Sequence, residues 1–102
     1  MPTYSGVTAL REAGADIIIA GLHWGLEGSY RDTADQRAVG HAAIDAGADI
    51  VYGSHPHVLQ RVEEYGSKYI FYSLGNWSFG GNTAPRDRDT AIARVTVMRS
   101  PD

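Results

Sequence analysis

The chain has 102 residues, enough for one small domain or part of a larger one, and 43% of its residues are hydrophobic, enough for a packed core. Nine basic and twelve acidic side chains give a formal net charge of -3, so no basic face for a nucleic-acid partner is expected. The absence of cysteine excludes disulfides and thiolate metal sites, and no apolar run reaches the roughly 20 residues of a transmembrane helix.

A five-residue repeat organises the first half of the chain. Residues 13–17 and 46–50 both read Ala-Gly-Ala-Asp-Ile, and each copy follows a helix-like stretch and leads into a short apolar run. Two parallel strands joined by a crossover helix, a βαβ unit, explain this pattern. In chain order, the predicted elements are a helix from a Ser5 cap to Ala13, a strand at residues 17–22, a glycine-bearing loop, a helix from an Asp32 or Thr33 cap to Gly47, and a strand at residues 50–53.

The second half of the chain predicts a mixed or antiparallel part. Residues 58–62 are expected to be extended, residues 63–68 to form a turn, and residues 69–73 to form a strand rich in aromatic and β-branched side chains. Residues 90–98 alternate between apolar and small or polar side chains, which predicts a final strand. The fold class is therefore α/β, a βαβ unit followed by mixed or antiparallel strands.

Both strands of the repeat end in histidine, and open α/β sheets bind ligands beyond the carboxyl ends of their strands. His23 follows the first strand, and His55 and His57 follow the second. An extended His-x-His segment places both rings on one side, and Pro56 is expected to restrict His55 to extended conformations. Three neutral imidazoles in one crevice predict a metal or anion site, whereas His41 on the second helix is expected to be structural.

Other polar and aromatic residues near the strand ends are weaker candidates. Glu27, in the glycine-bearing loop, is interpreted as a carboxylate that orients an imidazole, a general acid/base, or a solvated loop charge. Trp24 is expected to pack at the rim of the site, and Asn76 to form a turn; both are also candidate substrate contacts. Asp16 and Asp49 begin the strands, away from the site, and are expected to be caps or turn formers.

Four ordered motifs resemble a known family. They are HWGLE at residues 23–27, DAGADIV at 45–51, GSHPHVLQ at 53–60 and IFYSLGN at 70–76. Together they resemble the C-terminal half of the bacterial capsule-synthesis CapA family, also called the poly-γ-glutamate biosynthesis PgsA family. That family is similar to calcineurin-like metallophosphoesterases. The resemblance implies half of a four-layer sandwich, with residues 1–102 forming a single partial domain.

The resemblance also implies roles for individual residues. His23 matches an isolated metal-ligand histidine of the metallophosphoesterases, and His55 and His57 match their closing Gly-His-x-His motif, with Ser54 in the place of glycine. It implies a divalent metal, Mn, Zn or Fe, held by these three histidines. Glu27 and His55 are the implied catalytic residues, acting on a phosphoester or an anionic polymer.

The implied function is metal-dependent phosphoester-type hydrolysis, or the related role in making poly-γ-glutamate or capsule polymer, in a membrane-anchored, extracytoplasmic parent. The superfamily motifs Asp-x-His, Gly-Asp-x-x-Asp and Gly-Asn-His have no match here, so the chain is expected to be a C-terminal fragment that is inactive alone. It is expected to pair with the missing N-terminal half or to self-associate through an exposed sheet. The alternatives are a non-enzymatic scaffold or polymer-binding subunit, and a hydrolase of the polymer itself.

Overall fold

The computed structural model describes residues 5–75 and 89–98, which contain two helices and four strands joined by turns and loops. They are α1 (Ser5–Glu12), β1 (Ile19–His23), α2 (Ala34–Asp45), β2 (Ile50–Ser54), β3 (Val62–Tyr65) and β4 (Lys68–Phe71). Strands β1 and β2 are parallel, with Ile19 opposite Ile50 and His23 opposite Ser54. The βαβ unit predicted from the repeat is therefore confirmed.

The four strands form one mixed sheet in the order β1-β2-β4-β3. Strand β4 runs parallel to β2, and β3 pairs with β4 as an antiparallel hairpin. The expected mixed part is thus present. Because β1, β2 and β4 all run in one direction, their carboxyl ends lie at a common edge of the sheet.

The hairpin differs from the sequence prediction, which placed a turn over residues 63–68. Strand β3 continues to Tyr65, and the turn is narrowed to Gly66 and Ser67, which have φ values of +55° and +69°. Glu63 lies within the strand, opposite Ile70. Its carboxylate accepts a 2.6 Å hydrogen bond from the Tyr72 hydroxyl, so a charged residue that favours a turn locally is stabilised in a strand by a distant partner.

The strand predicted over residues 90–98 is also wrong. Thr90 forms an isolated bridge with Gly75, and its hydroxyl donates a 2.6 Å hydrogen bond to the carbonyl oxygen of Leu74. Residues 91–98 contain no strand, and Ile92 and Met98 are 73% and 86% exposed. An alternating pattern forms a strand only where another strand supplies its hydrogen bonds, and no described strand pairs with this segment.

The residues at the two ends of α2 show why this helix begins and ends where it does. Thr33, and not Asp32, is the N-cap of α2: its side chain accepts from the Gln36 N–H, and Gln36 Oε1 accepts from the Thr33 N–H. This reciprocal capping box satisfies two backbone donors at the helix start. Beyond the helix end, Gly47 has φ +122°, a conformation that costs glycine little.

The hydrophobic core lies between α2 and one side of the sheet. Val51, Ile70 and Tyr72 define this covered face; all three are 0% exposed, and they pack with Ala43 of α2. The opposite side of the sheet, called the open face, is defined by Ile19, Gly21, Tyr52 and Phe71. Ile19 and Tyr52 there are 58% and 45% exposed. Neither described helix has the length and apolar character needed to cross a bilayer.

Candidate functional site

The three predicted histidines lie together at the carboxyl ends of β1 and β2. His23 is the last residue of β1, and β2 ends one residue before His55. The ring centroids of His23 and His55 are 4.5 Å apart, and those of His55 and His57 are 6.2 Å apart. His23 is exposed, whereas His55 and His57 are partly buried. These three residues are called the histidine edge below.

The backbone of the histidine edge differs from the expected extended conformation. His55 has φ +103° and His57 has φ +61°, in the left-handed region that non-glycine residues rarely adopt. Proline disfavours right-handed helical backbone at the residue before it, and His55 avoids that region by taking a positive φ instead of an extended one. Such a conformation costs of order 1–3 kcal/mol and persists only where neighbouring structure enforces it.

Buried neighbours enforce this path. Pro56 and Val58 are fully buried, so the chain between and after the two histidines is anchored in the interior. The Gly28 N–H donates a 2.7 Å hydrogen bond to the carbonyl oxygen of Pro56. This bond joins the loop after β1 to the loop after β2. It also brings the backbone of Glu27, whose side chain is exposed, next to the histidine edge.

Trp24 packs into the protein beside the histidine edge. Its N–H donates to the Ser54 carbonyl at 3.0 Å, its indole Nε1 donates to the Tyr72 carbonyl at 2.8 Å, and its ring stacks on that of Tyr72 with centroids 5.5 Å apart. A Cβ at Gly53 would overlap the indole, so glycine is needed there for the close approach. These contacts account for Trp24 without a substrate. Asn76, the other candidate substrate contact, lies outside the described residues.

The donor chemistry of the histidine edge suits a divalent metal, because neutral imidazole binds Zn, Mn and Fe. Within residues 5–75 and 89–98, however, no three His, Asp or Glu side chains are arranged as a group that could hold a metal ion. The rings of His23 and His55 are tilted by 47° against each other. The described residues therefore provide imidazole donors but not a complete ligand set, and no reaction step is assigned to a metal.

A charged cluster lies apart from the histidine edge, around Glu63. Partial burial raises the pKa of Glu63, but hydrogen bonds from the Tyr72 hydroxyl and from His41 outweigh it and hold that pKa below its usual value. Burial and the adjacent carboxylate raise the pKa of Tyr72 well above its ordinary range. His41 Nε2 lies 2.9 Å from Glu63 Oε1, and its ring stacks on Tyr65 at 4.1 Å. His41 thus contacts its own cluster, consistent with a structural role.

Sequence reasoning missed one buried polar feature near the site, the side-chain amides of Gln36 and Gln60. Gln36 Nε2 donates a 2.8 Å hydrogen bond to Gln60 Oε1, and both residues are buried. The signals in the sequence are slight. Gln36 stands at the third position of a capped helix, and Gln60 closes the segment that contains His55 and His57.

Comparison with known proteins identifies the family. The family described as bacterial capsule synthesis protein PGA_cap matches residues 3–80, which contain all four motifs. The chain belongs to this family. The resemblance to the CapA family found in the sequence is therefore confirmed.

Several curated relatives are similar to this chain. The PGA biosynthesis protein CapA of Bacillus subtilis (strain 168) is 45% identical over 86 residues, 84% of this chain and 22% of the relative. The capsule biosynthesis protein CapA of Bacillus anthracis is 40% identical over 84 residues, 82% of this chain and 20% of the relative. A probable polyglutamine synthesis accessory protein of Mycobacterium tuberculosis is 38% identical over 61 residues, 60% of this chain and 16% of the relative. The chain spans about a fifth of the length of these relatives.

Proposed function

We propose that this chain is part of a poly-γ-glutamate or capsule biosynthesis protein, and that His23, His55 and His57 contribute ligands to a metal-dependent, phosphoesterase-type site. The observation that carries the proposal is the meeting of the three imidazoles at the carboxyl ends of β1 and β2. Positive φ at His55 and His57 supports it, because strained backbone concentrates at functional sites. The names of the similar relatives support the biosynthetic role.

The residues of this chain would divide the work at such a site. The histidine edge would bind Mn, Zn or Fe, and Glu27 would orient an imidazole or carry a proton. A bound metal supplies Lewis acidity and a water of lowered pKa. The substrate class is a phosphoester or an anionic polymer. The remaining ligands, and the second half of a four-layer sandwich over the open face, would come from outside the described residues.

A non-enzymatic role is the second candidate. The observation that favours it is the lack of a complete metal-ligand group within the described residues. In that case the protein would be a scaffold or polymer-binding subunit of a synthesis complex, and the histidines would have a structural role. Hydrolysis of an aryl phosphate with and without Mn²⁺ separates the two candidates. The assay belongs in a protein that joins these residues to the sequence preceding them in the longer relatives.

Metal content tests the ligand assignment directly. We expect a protein that joins these residues to the sequence preceding them in the longer relatives, loaded with Zn²⁺ or Mn²⁺ and desalted, to retain metal by mass spectrometry, and its His57→Ala variant to retain less. His41→Gln is the matched control, because it removes an imidazole that contacts Glu63 instead of the histidine edge. Equal retention by His57→Ala and the unaltered protein would overturn the assignment of His57 as a ligand.

A further inference from the structure

The amide pair of Gln36 and Gln60 lies beneath the loop between β1 and α2, residues 24–33. Besides accepting from Gln36, the Gln60 amide donates hydrogen bonds from Nε2 to the carbonyl oxygens of Ser29 and Arg31, at 2.7 and 3.2 Å. No side-chain polar atom buried within the described residues lacks a hydrogen-bond partner. If these hydrogen bonds broke, the buried Gln60 amide would be left without partners, which costs free energy. The amide therefore holds the loop in place from the interior side.

Gln36 contacts the same loop at its other end. Gly25 has φ +80°, and a Cβ placed on it would lie only 2.8 Å from Gln36 Oε1. The first turn of the loop thus packs closely against the Gln36 amide, whereas the carbonyl oxygens of Ser29 and Arg31 accept hydrogen bonds from Gln60. Glu27 lies between these two supports.

The amide pair is also continuous with the histidine edge. Gln60 follows His57 closely in the chain, and its own N–H donates a 3.1 Å hydrogen bond to the Ser73 carbonyl. This bond fixes the Gln60 backbone beside the segment after β4. The Gly28 N–H, in the middle of the loop, donates to the Pro56 carbonyl between the two strained histidines. Loss of the Gln60 donors would release the loop, and with it the Gly28 bond that holds Pro56.

We infer that Gln60, together with Gln36, is a positioning residue that holds the loop of Glu27 against Pro56 and so keeps His55 and His57 in their left-handed conformations. The inference deepens the proposed function and rests on it, since the histidine edge is the site being positioned. Groups that hydrogen-bond directly to metal ligands typically change metal affinity by about 10- to 100-fold when they are removed. Gln60 acts through the loop instead of on a ligand, so a smaller change is expected.

The test compares Gln60→Met with Ile18→Val. Gln60→Met keeps the length of the side chain and removes both donors to the loop, together with the oxygen that accepts from Gln36 Nε2. Ile18→Val removes one buried methyl group at the other end of the sheet, so it reports a general loss of stability. We expect the Gly28 amide to lose protection from hydrogen exchange in Gln60→Met alone, and the ring ¹⁵N signals of His55 and His57 to shift. In a protein that also carries the preceding sequence, Zn²⁺ should bind more weakly in Gln60→Met, by up to about 10-fold.

The readouts separate the inference from the proposed function. If the longer protein that also carries the preceding sequence binds no Zn²⁺, the metal proposal fails, while amide exchange and ring signals of this chain still test the positioning role. If Gly28 exchange and the ring signals change equally in Gln60→Met and Ile18→Val, the positioning role is overturned. Should Gln60→Met not fold by circular dichroism, Gln60→Ala replaces it. That variant removes the same donors, leaves room for water beside Gln36 and the two carbonyl oxygens, and is expected to give the same pattern.

Discussion

The two faces of the sheet differ greatly in how far their side chains are buried. On the covered face, Val51 and Ile70 are completely buried beneath α2, whereas Ile19 and Tyr52 on the open face, from the same strands or their neighbours, are about half exposed. Strands that are apolar on both sides are typical of sheets buried on both sides. The difference shows that the described residues cover one face of the sheet and leave the other partly exposed to solvent.

The open face is partly lined by the C-terminal segment. Ala93, Val95 and Val97 border a groove of about 440 Å³ with residues of the open face. Val95 and Val97 nevertheless remain 40% and 53% exposed. This segment adds contacts without a strand ladder, so its protection of the sheet is incomplete.

The difference in burial between the two faces is tested most directly by truncating one isoleucine to alanine on each face. Ile70→Ala should lower the free energy of unfolding by about 2–5 kcal/mol, because it leaves a cavity under α2. Ile19→Ala should lower it by less than about 1 kcal/mol, because the side chain is already largely in water. Urea unfolding of both variants at low protein concentration measures the difference. Equal losses would mean that the open face is buried in solution.

Low pH should weaken the ion pairs and hydrogen bonds that carboxylates make around the covered face. Asp49 accepts hydrogen bonds from Lys68, the Ile18 N–H and Arg11, joining α1 to the starts of three strands. Partial burial raises the pKa of Asp49, but these bonds outweigh it and lower that pKa below 3.8. The pKa values of Asp32 and Glu63 are also lowered.

A carboxylate whose pKa is lower in the folded state stabilises the fold above its unfolded pKa and loses that contribution as the pH falls through the folded value. We therefore expect the free energy of unfolding to be constant from pH 7 to about 5 and to fall by roughly 1–3 kcal/mol toward pH 3. Urea midpoints across this range measure it. Asp49→Asn, which removes one of the three carboxylates, should show a smaller fall; an unchanged pH profile in that variant would contradict the role of Asp49.

Much of this fold could be predicted because its signals are local. The repeated Ala-Gly-Ala-Asp-Ile marks two helix ends and two strand starts, and Gly14 and Gly47 have the positive φ values that such ends require. For the start of α2, the sequence left open only whether Asp32 or Thr33 is the N-cap. Parallel strands then bring His23, His55 and His57 to one edge as a consequence of topology.

The features that could not be predicted depend on distant partners. The positive φ of His55 follows from the burial of Pro56 and the bond from Gly28, neither of which has a local signal. The alternating segment at residues 90–98 has the pattern of a strand but no described strand to pair with. Gln60 resembles an ordinary polar residue in sequence, and its role appears only when the loop above it is in place.

Self-association is the smallest effect expected and the one that most directly tests the open face. Exposed apolar surface of this kind favours pairing. The average molecular mass measured by sedimentation should therefore rise as the protein concentration increases about a hundred-fold. Ile19→Lys should prevent this while changing monomer stability by less than about 1 kcal/mol. Leu26→Lys, at a 63% exposed loop residue away from the sheet, is the matched control.

The two outcomes assign different partners to the same surface. Association that is lost in Ile19→Lys and kept in Leu26→Lys means that a second copy can cover the open face. A chain that stays monomeric at every concentration contradicts self-association through this face. In that case the exposed apolar area around Ile19 is too small for pairing, because Tyr52 lies across Gly21 and already covers part of the sheet. The cover would then have to come from sequence beyond the described residues, as the proposed sandwich requires.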